Sequence, residues 1–524
     1  MRFWNLTRTY KGDNPSKSTT GIYCSASMFR DACYQLVSAF LITYITCSGL
    51  LDIGNTEVYL QQIGVISLIT VLCLIWDGVN DPIMGWIIEK VHFKWGKYKP
   101  WILIGGVLNT IIVLVLFLAH PTGWGMVALF GVFYFLWDFA WTINDIAYWS
   151  MLPSLTKNEK RRNSITTVMQ VFISIGTFGI YGALNMLVGN AEASAQTIYG
   201  IAAIIVCSLY LISQILICVG CKEHERDPEQ EKKEQENVKF SDMFKLLKNN
   251  KQFRINIIAI FLEYLGSGVV VGFATYYFYL TYGYGTSADT IFMFTIMYAV
   301  GTLLAQFLYP LLNKFVNRKG LFLISGIALT LGYAAMFIFG FPLFGSKPIA
   351  QIDSPTIFLL YAAGAVLFFG QGIMAVAQIV QMQSTIEYNE LETGERKEAI
   401  ASSMRALVAK FGSAIQRLLI FVTLSASALY GITQKISNLE YEKSAGIIDA
   451  EAVKTQALAL TNNVEQWQMY VLAIGMLLIP LAALLVSCFL SRNVFKIDEK
   501  KYKEICEALD ARKATKQEEN TETK

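Results

Sequence analysis

Apolar residues run along this chain in long stretches separated by short charged segments, and two of them, Trp101–Ala119 and Met469–Leu490, contain almost no charge. A run of about 20 such residues spans the hydrocarbon core of a bilayer. Continuous runs of this length do not fit the ten-residue alternation of a membrane strand. The pattern predicts twelve helices, near 23–48, 60–88, 101–119, 125–152, 163–187, 197–220, 255–281, 289–312, 321–343, 356–383, 401–431 and 467–490. No strands are expected. The fold class is an all-α polytopic membrane protein.

Charge orients these runs. Thirty-five of the 43 Lys and Arg residues fall in one alternating set of segments: the N-terminal tail, the loops at 89–100, 153–162, 221–254, 313–320 and 384–400, and the C-terminal tail. The opposite loops hold Lys347, Lys435, Lys443 and Lys454. The positive-inside rule therefore places both termini in the cytoplasm. A cleavable signal peptide is not expected, because the first run already carries Arg30 and Asp31. The Lys- and Glu-rich stretch Cys221–Arg254 divides six helices from six. That layout predicts an N-terminal bundle at 1–220, a cytoplasmic linker at 221–254, a second bundle at 255–490 and a tail at 491–524, as in transporters built from repeats.

Composition narrows the function. The chain is 54% hydrophobic and 16% charged, against about 25% charged in soluble domains. A net charge of +3 is no nucleic-acid footprint. No nucleophile–base set, P-loop or metal-ligand spacing is present, so neither an enzyme nor an ATP-driven pump is expected. Cys218 and Cys221 lie near His224 but do not complete a zinc pattern, and they read as buried thiols. No cofactor is expected.

The informative residues are charges at membrane depth. Each costs at least about 2.5–3.5 kcal/mol to insert, which makes it a functional candidate by default. In the second span Asp77 and Asp81 stand one helical turn apart with Asn80 beside them. Two carboxylates this close in low dielectric need a cation between them or a shared proton. Gly78 and Pro82 loosen the helix there and can free a carbonyl as another oxygen ligand. In the fourth span Asp138, Thr142, Asp145 and Trp149 draw one stripe. Carboxylates accept bonds from vicinal hydroxyls and an indole covers the apolar face of a pyranose, so the stripe suits a sugar. The first span adds adjacent Arg30 and Asp31, which could instead form a structural ion pair with another helix. In the second half Lys410 and Arg417 share a face of the eleventh span, and Glu263 lies in the seventh. Arg417 and Glu263 could equally neutralise each other between helices.

Beyond these features the chain resembles the glycoside–pentoside–hexuronide:cation symporter family of the major facilitator superfamily. The resemblance covers nearly its whole length. It rests on Trp76-Asp-Gly-Val-Asn-Asp-Pro-Ile-Met-Gly-Trp86, on Trp95-Gly-Lys-Tyr-Lys-Pro-Trp-Ile-Leu-Ile-Gly105, on Thr142-Ile-Asn-Asp-Ile-Ala-Tyr-Trp-Ser-Met-Leu-Pro153, and on Tyr388-Asn-Glu-Leu-Glu-Thr-Gly-Glu-Arg-Lys-Glu398 running on to Lys410-Phe-Gly-Ser413.

The resemblance implies the major facilitator fold of two six-helix bundles in a bacterial inner membrane. It also implies sugar uptake coupled to Na+ or H+, with a monomer as the working unit. Asp77, Asn80, Asp81 and Thr142 match the family's cation site. Asp31, Asp145 and Trp149 match its sugar site, with Arg30 in place of a neighbouring basic residue. Lys410 matches the basic residue linking the two halves, and the 85–100 segment matches a cytoplasmic latch. Departures are Gln170 where the family has an arginine, and the added Asp138, Arg417 and Glu263. They suggest that the pocket's positive charge has moved from the fifth span to Arg417, there serving an anionic sugar, and that Asp138 favours protons. The alternatives are a carrier of another amphiphilic or anionic solute and a non-transporting sugar sensor signalling through the linker or tail.

Overall fold

The computed structural model describes residues 9–10, 15–52, 55–91, 93, 95–156, 158–190, 195–224, 242–284, 288–342, 348–394, 397–444 and 448–522. Among them, eleven helices are long and apolar enough to cross a membrane. They are Glu57–Lys90, Lys99–Leu118, Trp124–Leu155, Arg161–Leu184, Ala195–Gly220, Lys251–Tyr282, Thr290–Phe315, Arg318–Gly340, Ile357–Thr393, Glu398–Ala426 and Gln466–Val494. These are the second to twelfth expected spans. The first is the 31-residue helix Lys17–Cys47, which carries the charged pair Arg30–Asp31. Side chains such as Leu68, Ile111, Val132, Phe307, Leu331 and Phe358 are exposed on the spans. An apolar exterior of this kind is stable only against lipid.

Departures from the expected elements are small and local. Thr9–Tyr10 and Glu223–His224 form a two-residue parallel ladder where no strand was expected. The eleventh span ends at Ala426 and is followed by two further helices, Tyr430–Ser444 and Ala450–Thr461, in what reads from sequence as a loop. Ile436, Leu439, Val453 and Ala457 bury the inner face of this hairpin. Most of the expected linker, 225–241, lies outside the described residues.

Two compact units result. One comprises Met1–Ile257, Ile379–Leu407 and Phe495–Lys524; the other comprises Ile258–Gln378 and Val408–Val494. The division differs from a cut at the linker, because the end of the tenth span, the start of the eleventh and the tail group with the first six spans. Buried polar contacts account for this. Arg162 pairs with Glu387 at 3.0 Å, Tyr98 donates to Glu398 Oε2 at 2.5 Å, and Ala399 N donates to Glu89 Oε2 at 2.9 Å.

Within the first unit the spans pack around aromatic rings and small residues. Tyr44 meets Phe117 at 5.0 Å and Tyr199 at 5.5 Å, and its hydroxyl donates to the Phe117 carbonyl. Small residues set the close approaches, as is usual where lipid supplies no hydrophobic drive between helices. A Cβ on Gly105 would lie 2.7 Å from Asn144 N, so the third span presses on the fourth beside Asp145. A Cβ on Gly176 would strike the Met28 carbonyl, so the fifth span presses on the first beside Arg30. In the second unit Phe273, Tyr277, Tyr333 and Phe368 centre the core. There Gln378 donates to Ser487, which donates in turn to the Ala259 carbonyl at 2.6 Å.

The tail helix Glu499–Glu522 does not lie free. Ile497, Tyr502, Ile505 and Leu509 are all buried, and the Tyr502 hydroxyl meets the Arg162 guanidinium. Lys496 N donates to Gln252 Oε1 at 2.7 Å.

Candidate functional site

The second span holds the acidic pair. Asp77, Asn80 and Asp81 are buried within one continuous helix, Thr56–Lys90. Pro82 lies inside that helix and has no N–H, so the Gly78 carbonyl four residues earlier lacks its usual intrahelical donor. This places a spare oxygen next to Asp77 without a visible break in the helix. From the fourth span the buried Thr142 hydroxyl donates to Asp81 Oδ1 at 3.1 Å. Asp138, one turn earlier, is also buried. Among the described residues no three His, Cys, Asp or Glu side chains converge closely enough to hold a metal ion. Two carboxylates with a hydroxyl and an amide form an all-oxygen donor set of the kind a hard cation takes.

The second cluster lies on the same fourth helix. Arg30 Nη1 donates to Asp145 Oδ1 at 2.8 Å, while its Nε and Nη2 donate to Asp31 Oδ2 at 3.2 and 3.1 Å. Its guanidinium lies 4.6 Å from the Tyr148 ring centroid and 5.1 Å from that of Trp141. Tyr148 is fixed in turn. It stacks on Tyr23 at 4.6 Å, the Tyr23 hydroxyl donates to the Tyr148 carbonyl at 2.7 Å, and the Tyr148 hydroxyl returns a bond to the Tyr23 carbonyl. The other oxygen of Asp145 faces Arg405 Nη2 at 3.6 Å, and Arg405 stacks on Trp149 at 4.2 Å. The pair Arg30–Asp31 is thus tied to another helix, and that helix carries the sugar-type stripe.

Accessibility divides the cluster. The arginines are sealed, at 2% and 7% exposure, whereas the Asp31 and Asp145 side chains keep 15% and 16%. Two positive and two negative charges sum to zero, and the carboxylates are the face left open.

Arg405 was not among the residues singled out from sequence. The signal was available, since Arg405 lies in the eleventh apolar run, but its distance from the Lys410 motif hid its partner. A second positive charge beside Asp145, after that of Arg30, comes from the eleventh span at Arg405 and not at Arg417. Arg417 is exposed on the second unit, which also holds the half-buried Lys410 and the buried Glu263. Gln170 is half-buried on the fifth span and is joined to the cluster by no hydrogen bond. Cys218 and Cys221 are buried and donate weakly to the Lys99 and Thr19 carbonyls.

The 85–100 segment is organised by Glu89. One of its oxygens accepts from Lys97 Nζ at 2.6 Å and the other from Ala399 N. The loop is thereby joined to the start of the eleventh span.

Residues 31–499 match the family described as MFS/sugar transport protein. A raffinose carrier protein of Pediococcus pentosaceus is 29% identical over 405 residues, covering 75% of this chain and 60% of that one. A lactose permease of Lactobacillus helveticus is 26% identical over 432 residues, covering 78% and 62%. The chain therefore spans about three-fifths of the length of these relatives. Among solved structures, an Escherichia coli fucose:proton symporter superposes with a TM-score of 0.59 at 14% identity, over 90% of this chain and 97% of that one. That likeness is one of fold.

Proposed function

Because the chain belongs to the MFS/sugar transport protein family, we propose that it is a secondary symporter. In this reading it takes up a neutral glycoside together with a monovalent cation by alternating access. Both termini face the cytoplasm, and the basic loops set that orientation in a bacterial inner membrane. Asp77, Asn80, Asp81 and Thr142 hold the cation. Asp31, Asp145 and Trp149 hold the sugar. Lys410 serves coupling from the second unit.

The single observation that supports this most is the pattern of accessibility around Asp145. Its partners Arg30 and Arg405 are sealed, while the Asp31 and Asp145 side chains keep more exposure, so their carboxylates are the groups a ligand reaches. Such oxygens accept from sugar hydroxyls, each charged hydrogen bond contributing about 1.5–3 kcal/mol. They repel a uronate. The neutral four-charge cluster leaves no surplus cation for an acidic sugar. A raffinose carrier and lactose permeases stand among the relatives.

Coupling follows from one rigid element. A cation between Asp77 and Asp81 removes their repulsion and orders Thr142, three residues before Asp145 on the same helix. Each ligand then changes the other's affinity by the same factor. The buried Asp138 beside this site supports proton coupling, while the hydroxyl and amide oxygens support sodium. A sensor reading loses ground because the tail helix is docked rather than offered to a partner. The deciding experiment is uptake of labelled raffinose, lactose, pentosides and glucuronides into vesicles, with and without sodium at two pH values. Cation-stimulated uptake of a neutral sugar is the expected outcome. Exclusive uptake of glucuronides would overturn the neutral substrate, and no uptake of any would overturn symport.

A further inference from the structure

The two arginines at Asp145 are held very differently. Arg30 makes a 2.8 Å hydrogen bond to it, is anchored twice more by Asp31, and rests against Tyr148. Arg405 reaches only 3.6 Å from the second oxygen, outside hydrogen-bond range, and its buried Nε has no partner. Its main contact is the Trp149 ring. Arg30 is therefore a fixture, and Arg405 occupies a seat that satisfies it incompletely.

That seat consists of the groups the sugar needs. A pyranose would lay its C–H face on Trp149 and give hydroxyl protons to the second oxygen of Asp145; the planar guanidinium of Arg405 now covers that ring and stands 3.6 Å from that oxygen. Arg405 also stands near the point at which its helix passes from one unit to the other, since Leu407 ends one and Val408 begins the next. Holding Arg405 on Trp149 fastens the 379–407 stretch to the fourth span. Releasing it unfastens that stretch.

Building on the sugar reading above, we infer that Arg405 is a positioning residue acting as a placeholder for the substrate. In the empty protein it covers Trp149 and Asp145 and holds the eleventh span. The arriving sugar displaces it, and its Nε and Nη groups turn to water. Cargo thereby releases the fastening, and a cation alone does not. Such a device explains why a second arginine is placed where one already neutralises Asp145 only in part.

The test uses the full-length protein in detergent and in vesicles, with raffinose and lactose as probes. Calorimetric binding is compared for wild type, Arg405→Gln and Arg405→Lys. Removing the competing stack tightens sugar binding in R405Q by about two- to thirtyfold, the range set by a cation–π contact. R405K, which keeps the charge without the planar face, tightens it less. In vesicles R405Q accumulates less sugar and admits more cation without sugar. Unchanged or weaker binding in R405Q overturns the placeholder role, a loss marking Arg405 as a direct sugar ligand. If R405Q does not fold, unchanged or weaker binding in R405K overturns it equally. Wild-type protein that binds neither probe overturns the sugar reading itself, and this inference with it.

Discussion

The Thr142 hydroxyl donates to Asp81 Oδ1 across 3.1 Å, joining the fourth span to the second at the acidic pair. Replacing it by alanine removes one oxygen from the proposed cation site and one bond between the spans. A hydrogen bond to a charged group contributes about 1.5–3 kcal/mol. Thr142→Ala is therefore expected to raise the cation concentration for half-maximal uptake by roughly tenfold or more. Sugar binding without cation should stay within twofold. Titration of uptake against sodium and against proton concentration measures both.

In the proposed cation site Asp77 and Asp81 carry the charge that a cation would neutralise. Asp77→Cys or Asp81→Cys is expected to abolish cation-stimulated accumulation while leaving sugar exchange across an equilibrated membrane. Counterflow of preloaded vesicles separates the two activities. Full cation stimulation in both variants would remove the pair from the coupling site.

Asp145 and Asp31 share Arg30 but not equally. Asp145→Asn leaves a buried guanidinium with one carboxylate, and breaking such a pair costs about 3–5 kcal/mol. It also replaces a charged acceptor oxygen by an amide donor, so sugar binding is expected to fall more than a hundredfold. Asp31→Asn is expected to weaken binding and to lower the melting temperature as well, because Asp31 holds Arg30 through two donors. Parallel calorimetry and thermal melts distinguish a loss of ligand from a loss of fold.

The tail contact is a stability element. Arg162 and Glu387 are almost fully buried, and Glu387→Gln is expected to cost about 3–5 kcal/mol in the first unit. Arg162→Met with Glu387→Met should recover much of it. Burial pushes the Tyr502 phenol well above its ordinary value of 10.0, and the facing Arg162 only partly offsets this. A pKa raised on folding adds stability that is whole below the unfolded value and declines above it. Limited proteolysis should therefore find the tail helix protected up to about pH 10 and increasingly cut above it.

The spans were legible because lipid imposes one rule on every residue of a run, and because Lys and Arg mark the loops. Asp77, Asp81, Asp145 and Arg30 were legible for the opposite reason, as costly exceptions within those runs. What escaped was pairing between distant segments. Nothing near Arg405 names Asp145 as its partner, and nothing near Glu387 names Arg162, so the grouping of 379–407 with the first six spans was not foreseen. The 430–461 hairpin was missed because its apolar positions, Ile436, Leu439, Val453 and Ala457, are too few to form a run and bury only one face.

The neutrality of the cluster around Asp145 bears on the electrical work of a cycle. If the cargo is the neutral glycoside proposed above, neither it nor the cluster brings net charge, and the current of a cycle is carried by the coupling cation alone. With one cation per sugar, a potential of 100 mV supplies about 2.3 kcal/mol per turnover. That corresponds to a gradient of about fiftyfold in sugar before any ion gradient is counted. An acidic cargo would cancel that current and forfeit the voltage as a source of drive.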